Sequence, residues 1–166
     1  MKNILNFNLF TESTQPSEIK DYLTKTTFDK LPLNYKKGVL PWMYEGDKVE
    51  WNIGKPITDW ANDKDVEILI DDYSKEFGNE MWYYGMVPTD LIIKKISNWI
   101  DEEGDYNSFN EYHKIYQSTN YANHGTSLFP IIVSDEDAEY ILDGWHRFHY
   151  YISKGYKEIP VIEYIG

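Results

Sequence analysis

The strongest constraint on this chain lies in Tyr140-Ile-Leu-Asp-Gly-Trp-His-Arg-Phe-His149, where an apolar run stops at Asp143-Gly144 and a helical pattern starts near Trp145. A strand that turns sharply into a helix leaves the first backbone N–H groups of the helix without intrahelical acceptors. It also sets the positive end of the helix dipole at the turn, which makes a ready anion site. Gly144 lets a ligand approach the backbone closely. Arg147 adds a planar charged fork matched to phosphate oxygens, and His146 can donate a hydrogen bond or carry a proton near neutral pH. The same residues also fit an ordinary helix start. In that reading Asp143 is an N-cap, Gly144 a turn residue, Trp145 a core anchor, and His146 and Arg147 a solvated first turn.

The flanks repeat an ordered pattern. Pro130-Ile-Ile-Val133 reads as a short buried strand, Ser134-Asp-Glu-Asp137 as a polar turn and Tyr140-Ile-Leu142 as the returning strand. A helix over 145–154 follows, Gly155 falls at its C-cap, and Ile159-Pro-Val-Ile162 reads as a final strand. Strand, turn, strand, Asp-Gly-Trp-His-Arg, helix, glycine and a strand with Pro-Val resembles the ParB/sulfiredoxin superfamily. The resemblance is detailed over 129–164 and extends more weakly to Met86-Val-Pro-Thr-Asp-Leu-Ile92, which looks like the family's opening strand and turn.

That resemblance implies an α+β domain over 81–166, with a small mixed sheet and helices, and an N-terminal extension over 1–80 packed on it. It also implies nucleotide binding, with phosphates held at Gly144, Trp145, His146 and Arg147. Family activities diverge among triphosphate-driven DNA clamps, small-molecule kinases, nucleases and sulfiredoxins, so fold alone does not select one. The chain has no cysteine, and Trp145 stands where sulfiredoxins carry their nucleophile. That chemistry is therefore excluded. Trp-His-Arg also departs from the acid-Arg-Arg triplet of the chromosome-partitioning branch. The chain ends soon after Gly155, with no helix-turn-helix expected downstream.

The enzymatic expectation is phosphoryl transfer or hydrolysis of a nucleoside triphosphate with Mg²⁺ as cofactor, where catalysis is mostly positioning and charge neutralisation. Arg147 would stabilise phosphate charge, His146 orient the phosphate or shuttle a proton, and Asp143 help to hold the metal. Asp90 is a candidate base. The competing expectation is an acidic binding or inhibitory protein on the same fold, which sequesters a protein or small-molecule partner or mimics DNA.

A second wall for the nucleotide is expected at Asn123-His-Gly-Thr-Ser127. His124 and Thr126 would line it, Gly125 would admit a backbone approach, and Ser127 would offer its hydroxyl to phosphate. The alternative is an ordinary surface connection. His149, three residues after His146, shares its helical face and joins the possible pocket wall. Two histidines without a clear third ligand make a weak metal case, and core or surface use of His146 and His149 is expected rather than a histidine metal site.

Net charge is −12, from 28 acidic and 16 basic residues. Nucleic-acid binders present basic faces, because counterion release drives their affinity, so sequence-independent duplex binding is not expected. The absence of cysteine fits a reducing cytoplasm. Neither a signal peptide nor a membrane span is legible in the sequence. The aromatic load, with 15 Tyr, 6 Trp and 7 Phe, points to a core built on rings.

Upstream, Pro16-Ser-Glu-Ile-Lys-Asp-Tyr-Leu23 carries a short helical pattern. The density of Pro and Gly over 31–59 predicts loops and short strands, with Trp42-Met-Tyr44 pairing across a turn with Val49-Glu-Trp51. Helix is expected within 57–77 closing at Gly78, extended chain over 79–92, helix over 91–99 closing near Gly104, and helix over 109–116.

Overall fold

The strands of this protein are apolar on both faces. Val87, Ile131, Val133, Ile141, Ile159 and Val161 are buried in one core, and Trp82, Ile132 and Ile162 in another. A sheet with that composition needs a cover on each side. The computed structural model, which describes residues 18–43, 64–104, 106–117, 128–135 and 140–165, supplies it with helices. The class is α+β with a mixed five-stranded sheet.

The strands are β1 (Thr24–Thr27), β2 (Met81–Pro88), β3 (Ile131–Val133), β4 (Ile141–Asp143) and β5 (Glu158–Tyr164), in the order β1-β2-β5-β3-β4. Among the described strands the neighbours β3 and β5 pair in parallel and the other pairings are antiparallel. The described helices are α1 (Leu33–Met43), α2 (Lys64–Phe77), α3 (Thr89–Glu103), α4 (Phe109–Gln117) and α5 (Trp145–Ser153). Residues of α1 and α2 share the Trp82 core, and those of α3, α4 and α5 share the Val87 core.

Each helix follows from its stripe. Ile92, Ile96 and Ile100 recur every fourth residue along α3 and are all buried, each contributing about 1.5–3 kcal/mol. Gly104 ends α3 at φ 74°, in the left-handed region that suits glycine, and its N–H donates to the Ile100 carbonyl. In α2, Val66, Ile70 and Tyr73 make the buried stripe, and the helix gives way to Gly78 as expected. Among the described residues no helix is long and apolar enough to cross a membrane.

Two expectations fail. The extended run expected over 79–92 stops at Pro88, and Thr89 opens α3, whose buried stripe starts with Ile92. Trp42 and Met43 lie in α1 rather than in a hairpin strand, while residues 44–63, which hold the other half of that expected hairpin, lie outside the described residues. Tyr35, Val39 and Leu40 are buried along one side of α1, and that periodicity outweighs the Gly and Pro punctuation. Gly38 serves packing here. A Cβ built on it would collide with the Pro130 ring, 2.6 Å from Cγ, so the glycine lets α1 approach the entrance to β3. Gly38→Ala should therefore destabilise the fold by about 1–2 kcal/mol through overpacking, although alanine is the better helix former. A urea midpoint equal to or above that of the parent would refute this role.

Candidate functional site

The register brings the ends of β2 and β4 and the starts of β3 and β5 to one end of the sheet: Ile131 lies beside Val161, Met86 beside Pro160 and Ile132 beside Asp143. The 143–147 turn stands at that end. β4 is entered through Tyr140, a non-glycine residue at φ 65°. A bulky side chain in that region is strained. Burial of its ring and the Ser134 N–H donating to the Tyr140 carbonyl at 2.9 Å offset the strain and close the β3–β4 connection.

After Asp143 the chain turns through Gly144 at φ 93°, ψ 19°, which is the N-cap of α5. The hydrogen-bond ladder of the helix starts with the Phe148 N–H donating to the Gly144 carbonyl at 2.9 Å. The N-cap is Gly144 and not Asp143, which stands one residue before it. The Asp143 carboxylate accepts from Arg147 Nη2 at 3.1 Å. The guanidinium folds back over the glycine, so a Cβ at Gly144 would lie 3.0 Å from both Arg147 Nε and Nη2. Arg147 is only 6% exposed. The two charges assigned to phosphate and to metal thus hold each other.

His146 is exposed on the first turn of α5, and Trp145 is half-buried with its ring edge-on to Tyr112 at 5.7 Å. Tyr151 fixes α5 to the sheet: its hydroxyl donates to the Phe129 carbonyl at 2.8 Å and accepts from the Phe129 N–H at 2.9 Å. At the other end of the helix, Gly144 lies against the start of β3, where a Cβ on it would sit 3.2 Å from Ile131 Cα.

His149 does not share an open face with His146. It is 1% exposed, and its Nδ1 meets Nδ1 of His113, itself 8% exposed, at 2.6 Å across α4 and α5. Phe109 stacks on both imidazoles. Burial, then the proximity of His113 and His146, pushes His149 down to about 3. Burial lowers His113 as well. Asp90 is exposed in the first turn of α3, on the same sheet end as the turn. The order β2-β5-β3-β4 separates the two strand ends by three spacings, roughly 14 Å. His124, Thr126 and Ser127 lie outside the described residues. Within the described residues no group of three or more His, Asp or Glu side chains is placed to hold a metal.

Two relationships escaped sequence reasoning. The Asp143–Arg147 pair lies four residues apart across the left-handed Gly144 turn, which brings the guanidinium back onto the carboxylate, so a local signal existed. The His113–His149 contact spans 36 positions and had no local signal. Compared with known proteins, the chain matches no family model, no curated protein and no solved structure.

Proposed function

We propose that this protein binds a nucleoside triphosphate through its phosphates at the 143–147 turn, the role implied by the ParB/sulfiredoxin resemblance. The observation that carries the reading is the left-handed Gly144, which seats a buried guanidinium between the end of a strand and the first turn of α5. An incoming phosphate would meet the positive end of the helix dipole and compete with the Asp143 carboxylate for Arg147. His146, exposed on the first turn of α5, would orient the phosphate or move a proton. Released from Arg147, Asp143 would be free to help hold Mg²⁺. Phosphoryl transfer or hydrolysis is the reaction this set of groups suits.

Titration calorimetry with the four nucleoside triphosphates, tripolyphosphate and a nucleoside, with and without Mg²⁺, tests the binding. Triphosphates and tripolyphosphate should bind and the nucleoside should not. Silence from every phosphate compound would end the proposal. Turnover should need Mg²⁺ and fall about 100-fold or more in His146→Ala, the scale of a lost general acid or base. The closed Asp143–Arg147 pair favours a second reading, an acidic protein that binds a nucleotide or partner without reaction. Saturable binding without phosphate release would select it.

A further inference from the structure

The buried His113–His149 contact lies outside the proposed phosphate site and has its own chemistry. Two Nδ1 atoms 2.6 Å apart can share a single proton: one imidazole must carry hydrogen on Nδ1, and the other must keep that atom bare to accept it. A proton added at the donor ring's Nε2 leaves the shared one in place, whereas a proton on the accepting Nδ1 sets two N–H groups against each other. The rings lie end to end, with centroids 4.9 Å apart and planes 24° from parallel, so each Nδ1 points straight at the other. Phe109 stacks on both rings, and Tyr112 meets His149 edge-on at 5.1 Å.

α4 is the element able to answer. It is nine residues long, and its main neighbours are α5 and α3 rather than the sheet. A helix this short has little stability without its packed face. That face is Phe109, Tyr112 and His113, while Asn110, Glu111, Lys114 and Ile115 are exposed. α5, by contrast, is tied to β3 through Tyr151 and Phe129. Among the titratable groups around the pair, Tyr112 faces it from α4, and His146 lies on the first turn of α5, where its charge opposes a proton on His149. α3 meets the cluster through Trp99, whose ring lies 6.0 Å from that of Tyr112.

We propose that His113 and His149 form a proton-controlled latch between α4 and α5, closed by one shared proton and opened by a second, so that mild acid releases α4 while the sheet and α3 stay folded. The latch stands independently of any ligand at the turn.

Peptide-resolved hydrogen–deuterium exchange on the full chain from pH 7.5 to 5.0, corrected for intrinsic rates, tests it. Protection of the α4 amides should fall by about tenfold or more per pH unit below about 6.5, at least one proton being taken up on opening. Protection in α3 and β5 should hold. In His113→Gln/His149→Gln, where neither side chain titrates, the pH dependence of α4 should shrink to less than about twofold. Constant α4 protection in the parent, or a parallel fall in α4, α3 and β5, would overturn the latch. So would a folded double variant that keeps the dependence. If the double variant does not fold, the comparison of α4 with α3 and β5 in the parent decides alone.

Discussion

Arg147→Ala is expected to lower stability by about 2–4 kcal/mol, far above the effect of losing an exposed arginine. The guanidinium is buried against Gly144 and holds Asp143 at 3.1 Å. Truncation strands the carboxylate and leaves a void beside the turn. The Asp143 side chain is 40% exposed, so water relieves part of the loss and the effect falls toward the lower side of the buried-pair range. Arg147→Lys should recover little, because a single ammonium lacks the planar fork that reaches back over the glycine. Urea unfolding with an unchanged m-value is the measurement, and a loss below about 0.5 kcal/mol would show that the pair contributes little to the fold. The expectation also governs how binding experiments are interpreted. Lost nucleotide affinity in Arg147→Ala carries no information about phosphate contact until the folded fraction is known. His146→Ala, an exposed change, is the cleaner probe.

What was legible in the sequence follows from which forces are local. The run from Pro130 to Ile162 was readable because each boundary has local chemistry: Gly144 in a left-handed turn, Gly155 at φ 75° after α5, and short β-branched strands between. α3 and α4 were readable from their stripes. α1 was not, because Gly38 and Pro41 were weighed as local punctuation, whereas Gly38 answers to Pro130, far along the chain. The turn at 143–147 was found, but the state of its charges was not. Spacing placed Asp143 and Arg147 four residues apart without showing that each would satisfy the other before any ligand arrived. His149 was grouped with His146 because helical spacing allows it. The packing of α4 against α5 instead turned His149 inward toward His113, a choice made by tertiary contact alone.

That inward turn makes stability depend on pH below the ordinary histidine range. Burial first, then His113 and His146, holds His149 down to about 3, against an ordinary value near 6.5. Above about pH 6.5 the imidazole is neutral in both folded and unfolded chains, and its full contribution is present. As pH falls through 6.5, the unfolded chain takes up a proton that the folded chain refuses. Stability then declines by about 1.4 kcal/mol per pH unit until the folded group itself titrates. Between pH 7.5 and 5 the loss from His149 alone is about 2 kcal/mol, and His113, lowered by the same burial, adds to it. Glu111, held below its ordinary value by hydrogen bonds from the Asn107 backbone and side chain, affects stability only at lower pH. The interval from 6.5 to 5 therefore isolates the histidines. Equilibrium urea unfolding at half-unit steps should give a curve that slopes in the parent and is flat across that interval in His113→Gln/His149→Gln. A flat parent curve would mean that both imidazoles accept protons in place, which contact between two buried Nδ1 atoms does not allow.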